Sequence, residues 1–359
     1  MAALPPMDQD PTLLAVDAAI SARGNAEPPR PYLGMSELGR PCERALWYSF
    51  HWCTPARFYA AVLKRFEDGH RGEELQAERL RLVMGVELHT LDPRTGNQFG
   101  FADLGGHLRG HMDGAIHGLL QAPATWHVWE HKQTDEKKQA SLVKAKIAQG
   151  EKAALASWDA IYYAQAILYM DYAGMSRHYL TCATPGGRHT VSVRTDAHPS
   201  VARTLRDKAR RVITSPVPPA RLSERPDWYQ CQWCPHRDLC HLGGTPAVPQ
   251  VNCRTCAHAT PELDGDGRWS CARYNLNLPV DIQRRGSECA AHVFIPDLLP
   301  WKAVDADEET GSIRYSGHHG EMVNGPGGWS SPEIALQPML FADAAAKRGQ
   351  DAVTAQVAA

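Results

Sequence analysis

The chain has no apolar run approaching the roughly 20 residues that a membrane-spanning helix needs. Its start, MAALPPMDQDPTLL, lacks the basic residues and long apolar stretch of a secretory signal. Both absences predict a soluble, intracellular protein. There is no charge excess: 38 Lys and Arg stand against 40 Asp and Glu, a formal charge of -2, so no global field draws in a polyanion. Any nucleic-acid surface must then be local; one candidate is KARR at 208–211, with Arg203, Arg206, Arg221 and Arg225 nearby, which reads equally as a solvated helix face. No G-x-G-x-x-G follows a predicted strand, which removes the main support for a nucleotide-dependent redox enzyme.

What the 359 residues do contain is enough apolar sequence (43%) for one sizeable core, and ten cysteines. Cys231, Cys234 and Cys240 fall in YQCQWCPHRDLC; Cys253 and Cys256 fall in VNCRTC, followed by Cys271 and Cys289; Cys42 lies far upstream in SELGRPCERALWY. Two C-x-x-C pairs in a long intracellular chain argue for metal rather than disulfides. Cys53 and Cys182 have no such pattern and are expected in the core.

Residues 1–30 read as a loosely attached leader with one short helix. From Phe58 to Met84, apolar residues at near-helical spacing predict a helix interrupted around Gly69 and Gly72. Strand-like stretches follow at VELHTL, QFGFAD, HLRGHMDGAIHGL and WHVWEHKQ. A Lys-rich helical run, the amphipathic SWDAIYYAQAILYMDYAG, a strand pair turning at Pro-Gly-Gly and a further helix complete the region. The order predicts an α/β core with a mixed sheet over 31–242, a small cysteine-rich module over 243–300, and a partly ordered extension with a disordered tail over 301–359.

The chemistry centres on WHVWEHKQ. Side chains at i and i+2 of a strand share a face, so Glu130 and Lys132 project together, opposite Trp129 and His131. Alone, such a pair could be an edge-strand ion pair. Asp113, in GHMDGAI, changes the reading: on a neighbouring strand it converges on Glu130, and two adjacent carboxylates call for a divalent cation, magnesium or manganese by their hard oxygen ligands. Lys132 beside them can hold or help deprotonate a water, or stabilise charge developing on a phosphate.

Asp113, Glu130 and Lys132 resemble the PD-(D/E)xK nuclease motif, with Met112 at the usual proline. Gln165 and Tyr169 look like the Q-x-x-x-Y motif of the RecB/YqaJ-like branch, and FEDGHRGEE resembles its first motif, where either His70 or Glu73 would reach the metal. Cys42 with Cys231, Cys234 and Cys240 resembles the split iron–sulfur arrangement of the AddB-type and CRISPR-associated four-cysteine nucleases. The resemblance covers about residues 31–242. It implies a restriction-endonuclease-like core stapled by a four-iron, four-sulfur cluster, zinc being the alternative occupant of the same four thiols. It also implies a magnesium- or manganese-dependent exonuclease that processes DNA ends or single strands in phage or bacterial recombination, replication or repair, in the cytoplasm, with a recombination or replication protein as a further partner. There Asp113 and Glu130 bind metal, Lys132 activates water, and Gln165 and Tyr169 contact the strand and brace Lys132. The Lys-rich helix at 137–152 is a candidate roof. The resemblance does not reach Cys253, Cys256, Cys271 and Cys289, which are expected to hold zinc in a ribbon-like module, with His258 and His292 as spare ligands. The competing expectation is a non-catalytic, metal-stapled DNA-binding or adaptor protein.

Overall fold

The computed structural model describes residues 10–241, 247–317 and 320–337. Its contacts divide the chain into two units. The first comprises Met1–Pro29, Ala56–Phe101 and Gly110–Arg203, the second Arg30–Pro55, Ala102–Arg109 and Thr204–Ala359. These limits cut across the domain boundaries expected from composition: the segment carrying Cys42 belongs with the C-terminal half, not with the carboxylates.

The first unit opens with α1 (Pro11–Ala26), capped by Asp10, whose side chain accepts the amides of Thr12 and Leu13. This helix is no loose leader. Lys64 pairs with Asp17 at 2.5 Å, Asn25 exchanges two hydrogen bonds with the Phe58 backbone, and Gly24 lies against Leu63. Next comes α2 (Ala60–Arg81), 22 residues running without a break through Gly69 and Gly72. The expected interruption is absent because its reason is packing, not a turn. A Cβ on Gly72 would fall 1.7 Å from Gln133 Oε1 and 3.4 Å from His131 Nε2, whereas Gly69 faces open space.

Five strands follow: β1 (Glu87–His89), β2 (Gly114–His117), β3 (His127–Gln133), β4 (Arg177–Ala183) and β5 (Thr190–Asp196). They lie side by side in chain order, antiparallel except for the β3–β4 pair, which is parallel. A parallel pair needs a crossover, here α3 (Glu136–Gln149), α4 (Glu151–Trp158) and α5 (Ala160–Ala173). Gly150, at φ 80°, breaks the Lys-rich run into α3 and α4, and Gly174, at φ 64°, ends α5 in the left-handed region. One face of the sheet packs Leu180, Cys182 and Val193 against Leu142, Leu155 and Ala166 of the crossover. Trp129 and Ile116 pack with Ala77 of α2. This mixed α/β arrangement is compatible with a restriction-endonuclease-like core. No helix among the described residues is long and apolar enough to cross a membrane.

The second unit gathers distant segments. Helix Glu43–Phe50 buries Leu46, Trp47, Tyr48 and Phe50, and Cys53 is fully buried, as Cys182 is in the first unit. Arg254, wholly buried, joins its parts: it donates to Phe50 O, Pro31 O and Gln283 Oε1 and stacks 3.7 Å from the centroid of Trp52. Strands Ala259–Pro261, Trp269–Cys271 and Leu276–Leu278 make one antiparallel sheet. Strands Lys302–Asp307, Ser312–Gly317 and Gly320–Asn324 make another, and helix Ser331–Ala335 follows. Within the extension beyond 301, Tyr315 and Ile334 are fully buried with Val293 and Phe294 in one core cluster. The tail expected to be disordered, 338–359, lies outside the described residues, as do residues 1–9 of the leader.

Candidate active site and cysteine recesses

Asp113 sits where a single predicted strand divides. The segment HLRGHMDGAIHGL forms Leu108–His111 and β2, with Met112 and Asp113 between them. The reason is local: Asp113 Oδ2 accepts the His131 amide at 2.8 Å, a backbone donor that a strand partner would otherwise use. Since Gly114 pairs with Trp129, Asp113 lies beside Glu130. The two carboxylates expected to converge do so.

Glu130 is 3% exposed. Its Oε1 accepts from Lys132 Nζ at 2.5 Å and Gln165 Nε2 at 2.6 Å, while Oε2 is buried without a partner among the described residues. Lys132 leans over the Tyr162 ring, 5.3 Å from its centroid. Gln165 also bonds the Tyr169 hydroxyl, and Tyr169 is 2% exposed. Gln165 therefore braces Glu130 rather than Lys132, and Tyr169 lies behind the site rather than facing solvent. On the other side of β3, Trp129 Nε1 donates to Thr181 Oγ1 at 3.1 Å and His131 Nδ1 lies 3.0 Å from the same hydroxyl, which fixes the strand's rotation.

Burial and the Asp113 charge push Glu130 up to about 8, against the pull of Lys132. Burial and the same charge push Glu73 of α2 up to about 7. Burial raises Asp113 as well, opposed by Lys132, the His131 amide and His70. For Lys132 burial works downward, but Glu130 and Asp113 outweigh it and hold the ammonium above its usual range. Glu73, Asp113 and Glu130 thus form a crowded acidic group that resists ionising together, and a divalent cation would reverse that. Glu73 is half-buried, whereas His70 is exposed and acts on Asp113 through its charge.

Sequence reasoning missed three supporting residues. Gly72 lets α2 approach β3, and the only signal was a glycine inside a helical pattern. Tyr162 underlies Lys132 and Thr181 orients β3; neither carries a sequence signal of its own.

The expected cysteine groups also assemble, both in the second unit. Cys42, Cys231, Cys234 and Cys240 line one recess with Tyr48, Arg221, His236 and His241. Cys253, Cys256, Cys271 and Cys289 line another with His258 and His292. All eight thiols are free. In each C-x-x-C the second sulfur accepts an amide from two residues on, His236 for Cys234 and His258 for Cys256. Burial and the three neighbouring thiols push Cys253 up to about 12. His236 has both ring nitrogens engaged, by Ser49 and Thr54, whereas His258 Nε2 and His292 Nδ1 are buried without partners among the described residues. No group of three or more His, Cys, Asp or Glu among the described residues stands ready-made around a metal-ion position.

The basic cluster is largely spent on internal bonds. Lys208 donates to the carbonyls of Leu38 and Arg40, Arg211 pairs with Glu43 at 2.7 Å, Arg221 donates to Cys240 O, and Arg225 pairs with Asp227.

No protein-family model matches the chain, and no curated protein matches it. Among solved structures it is similar to SSO0001, with 13% identity, a TM-score of 0.35 and coverage of 65% of this chain and 98% of that one. It is also similar to the alkaline exonuclease LHK-Exo from Laribacter hongkongensis, with 11% identity, a TM-score of 0.34 and coverage of 55% and 90%. LHK-Exo in complex with dAMP matches with 10% identity, a TM-score of 0.33 and coverage of 54% and 88%. At these scores the functional reading rests on the side-chain geometry, not on the matches.

Proposed function

We propose that the chain is a metal-dependent DNA nuclease that acts as an exonuclease on DNA ends or single strands. The observation that carries this reading is Glu130: one oxygen is fixed by Lys132 and Gln165, while the other, on the side chain beside Asp113, is buried without a partner among the described residues. A buried carboxylate oxygen without a donor is costly unless something cationic meets it.

The carboxylates Glu73, Asp113 and Glu130, all hard oxygen donors, fit magnesium or manganese. Asp113 and Glu130 would hold the ion with Glu73, which is half-buried and electrostatically tied to both; His70 is the alternative third ligand. The bound ion would supply Lewis acidity toward a phosphate oxygen and lower the pKa of its water. The chain's own residues do the rest. Lys132, held as an ammonium, orients the attacking water and stabilises charge on the phosphate. Gln165 fixes the Glu130 rotamer, and Tyr169 fixes Gln165. Cys42, Cys231, Cys234 and Cys240, four free thiols on one recess, suit a four-iron, four-sulfur cluster or zinc as a staple of the second unit.

The test is digestion of end-labelled linear and single-stranded DNA with manganese, using anaerobically purified wild type and Lys132→Ala. Cleavage by the wild type and its loss in the variant supports the reading, and the label's fate gives polarity. Intact DNA with both proteins overturns it and leaves a DNA-binding or adaptor role.

A further inference from the structure

Lys132 is not the only ammonium on the Tyr162 ring. Lys138, from the first turns of α3, lies 4.7 Å from the same ring centroid, while Lys132 lies 5.3 Å from it. Laid end to end, those distances keep the two ammonium groups within about 10 Å. Their surroundings differ. The Lys132 side chain is 19% exposed and bound to Glu130, whereas that of Lys138 is 40% exposed. Lys138 donates one N–H to Asp159 Oδ2 at 2.7 Å, and Asp159 Oδ1 accepts the amides of Ile161 and Tyr162, so the anchor of Lys138 is also the N-cap of α5. Trp158 closes the other side, 5.3 Å from the ammonium. A lysine that served only as a surface ion pair would gain little from such an enclosure. This one shares the Tyr162 ring with Lys132 and keeps donors beyond the one given to Asp159.

We infer that Lys138 is a substrate-phosphate subsite, gripping a backbone phosphate within about three nucleotides of the one at Asp113, Glu130 and Lys132, the two grips sharing the Tyr162 ring. The inference rests on the nuclease reading and adds a residue outside its motifs. A strand that advances ~3.4 Å per phosphate along a duplex covers the 10 Å span within about three nucleotides. The contact reads charge and not sequence, so it adds affinity and register without base preference.

The test measures binding rather than cleavage. Full-length Lys132→Ala protein, with and without Lys138→Gln or Lys138→Arg, is titrated against a fluorescent single-stranded oligonucleotide at several salt concentrations and a fixed manganese concentration. Loss of one phosphate contact lowers the slope of log affinity against log salt by about 0.7 for a single strand. The expected result is that decrease in Lys138→Gln, its restoration in Lys138→Arg, and a thermal midpoint close to the parent's in both. Retained binding with an unchanged slope in Lys138→Gln overturns the subsite while leaving the nuclease reading intact. No DNA binding by the wild-type protein, with calcium in place of manganese, overturns both.

Discussion

The carboxylate site of the first unit and the cysteine recesses of the second bring like side chains together in opposite ways. The carboxylates are held by hydrogen bonds: the His131 amide pins Asp113, and Lys132 and Gln165 pin Glu130. Its acidic residues come from β3, from the bend just before β2 and from α2. The cysteines arrive from positions as far apart as 42 and 240, line recesses with free thiols, and are crowded enough that Cys253 is pushed up to about 12. One region has its side chains fixed by hydrogen bonds and, under the proposed function, would take metal as a tool; the other would take it as part of its fold.

Mutations can break that contrast. Asp113→Asn keeps an oxygen for the His131 amide and removes one of three crowded charges. Nuclease activity should fall by at least about 100-fold, while the thermal midpoint holds or rises; a marked loss of stability would mean the site is structural. Cys234→Ser or Cys256→Ser should do the reverse, costing the second unit more than about 4 kcal/mol. Amide hydrogen exchange should then show deprotection in 30–55 and 204–337 and little change in β3 and α5. Uniform loss of protection would mean that the two units unfold as one. A pair of glycines in α2 sharpens the comparison on a smaller scale. Gly72→Leu should cost about 1–3 kcal/mol by pushing α2 from β3, with activity lost as Glu73 moves. Gly69→Ala should stabilise by about 1 kcal/mol, read from urea midpoints. The last effect concerns acid. Burial holds His51 of the second unit down at about 3, so the folded state keeps it neutral. Its share of stability is full above the ordinary value near 6.5 and is lost as pH falls from there toward 3, at up to about 1.4 kcal/mol per pH unit. His51→Gln should flatten the pH dependence of the melting temperature below 6.5, and an unaltered slope would remove His51 as its cause.

How legible all this was depended on the range of the forces. Alternation along a strand is local, so Glu130 and Lys132 could be placed on one face from WHVWEHKQ alone, and their meeting with Asp113 needed only adjacent strands. C-x-x-C spacing is local too, and the pairs do share recesses. Partners chosen by packing could not be read. Gln165 was assigned by resemblance to Lys132 but reaches Glu130, because α5 is set by where Ala166 and Ile167 bury, not by the motif. Which residues of the extension after 301 pack could not be read, because Tyr315 and Ile334 stand among Gly and polar residues and join a cluster with the distant Val293, Phe294 and Leu299. The Gly72 close approach has a one-residue signal that a helical pattern alone treats as a flaw.

Arg254 has a consequence in time. It bonds Pro31 O and Phe50 O, over 200 positions earlier in the chain, so the segment 30–55 waits for its partner until residue 254 has been made. At roughly 5–20 residues per second, that wait is on the order of 10–40 seconds, and within it every strand and helix of the first unit's sheet and crossover leaves the ribosome. The carboxylate site can then be folded before the cysteine-bearing unit has all of its chain, and helix Glu43–Phe50, with its load of aromatic residues, is the stretch left exposed to chaperones and proteases in the interval.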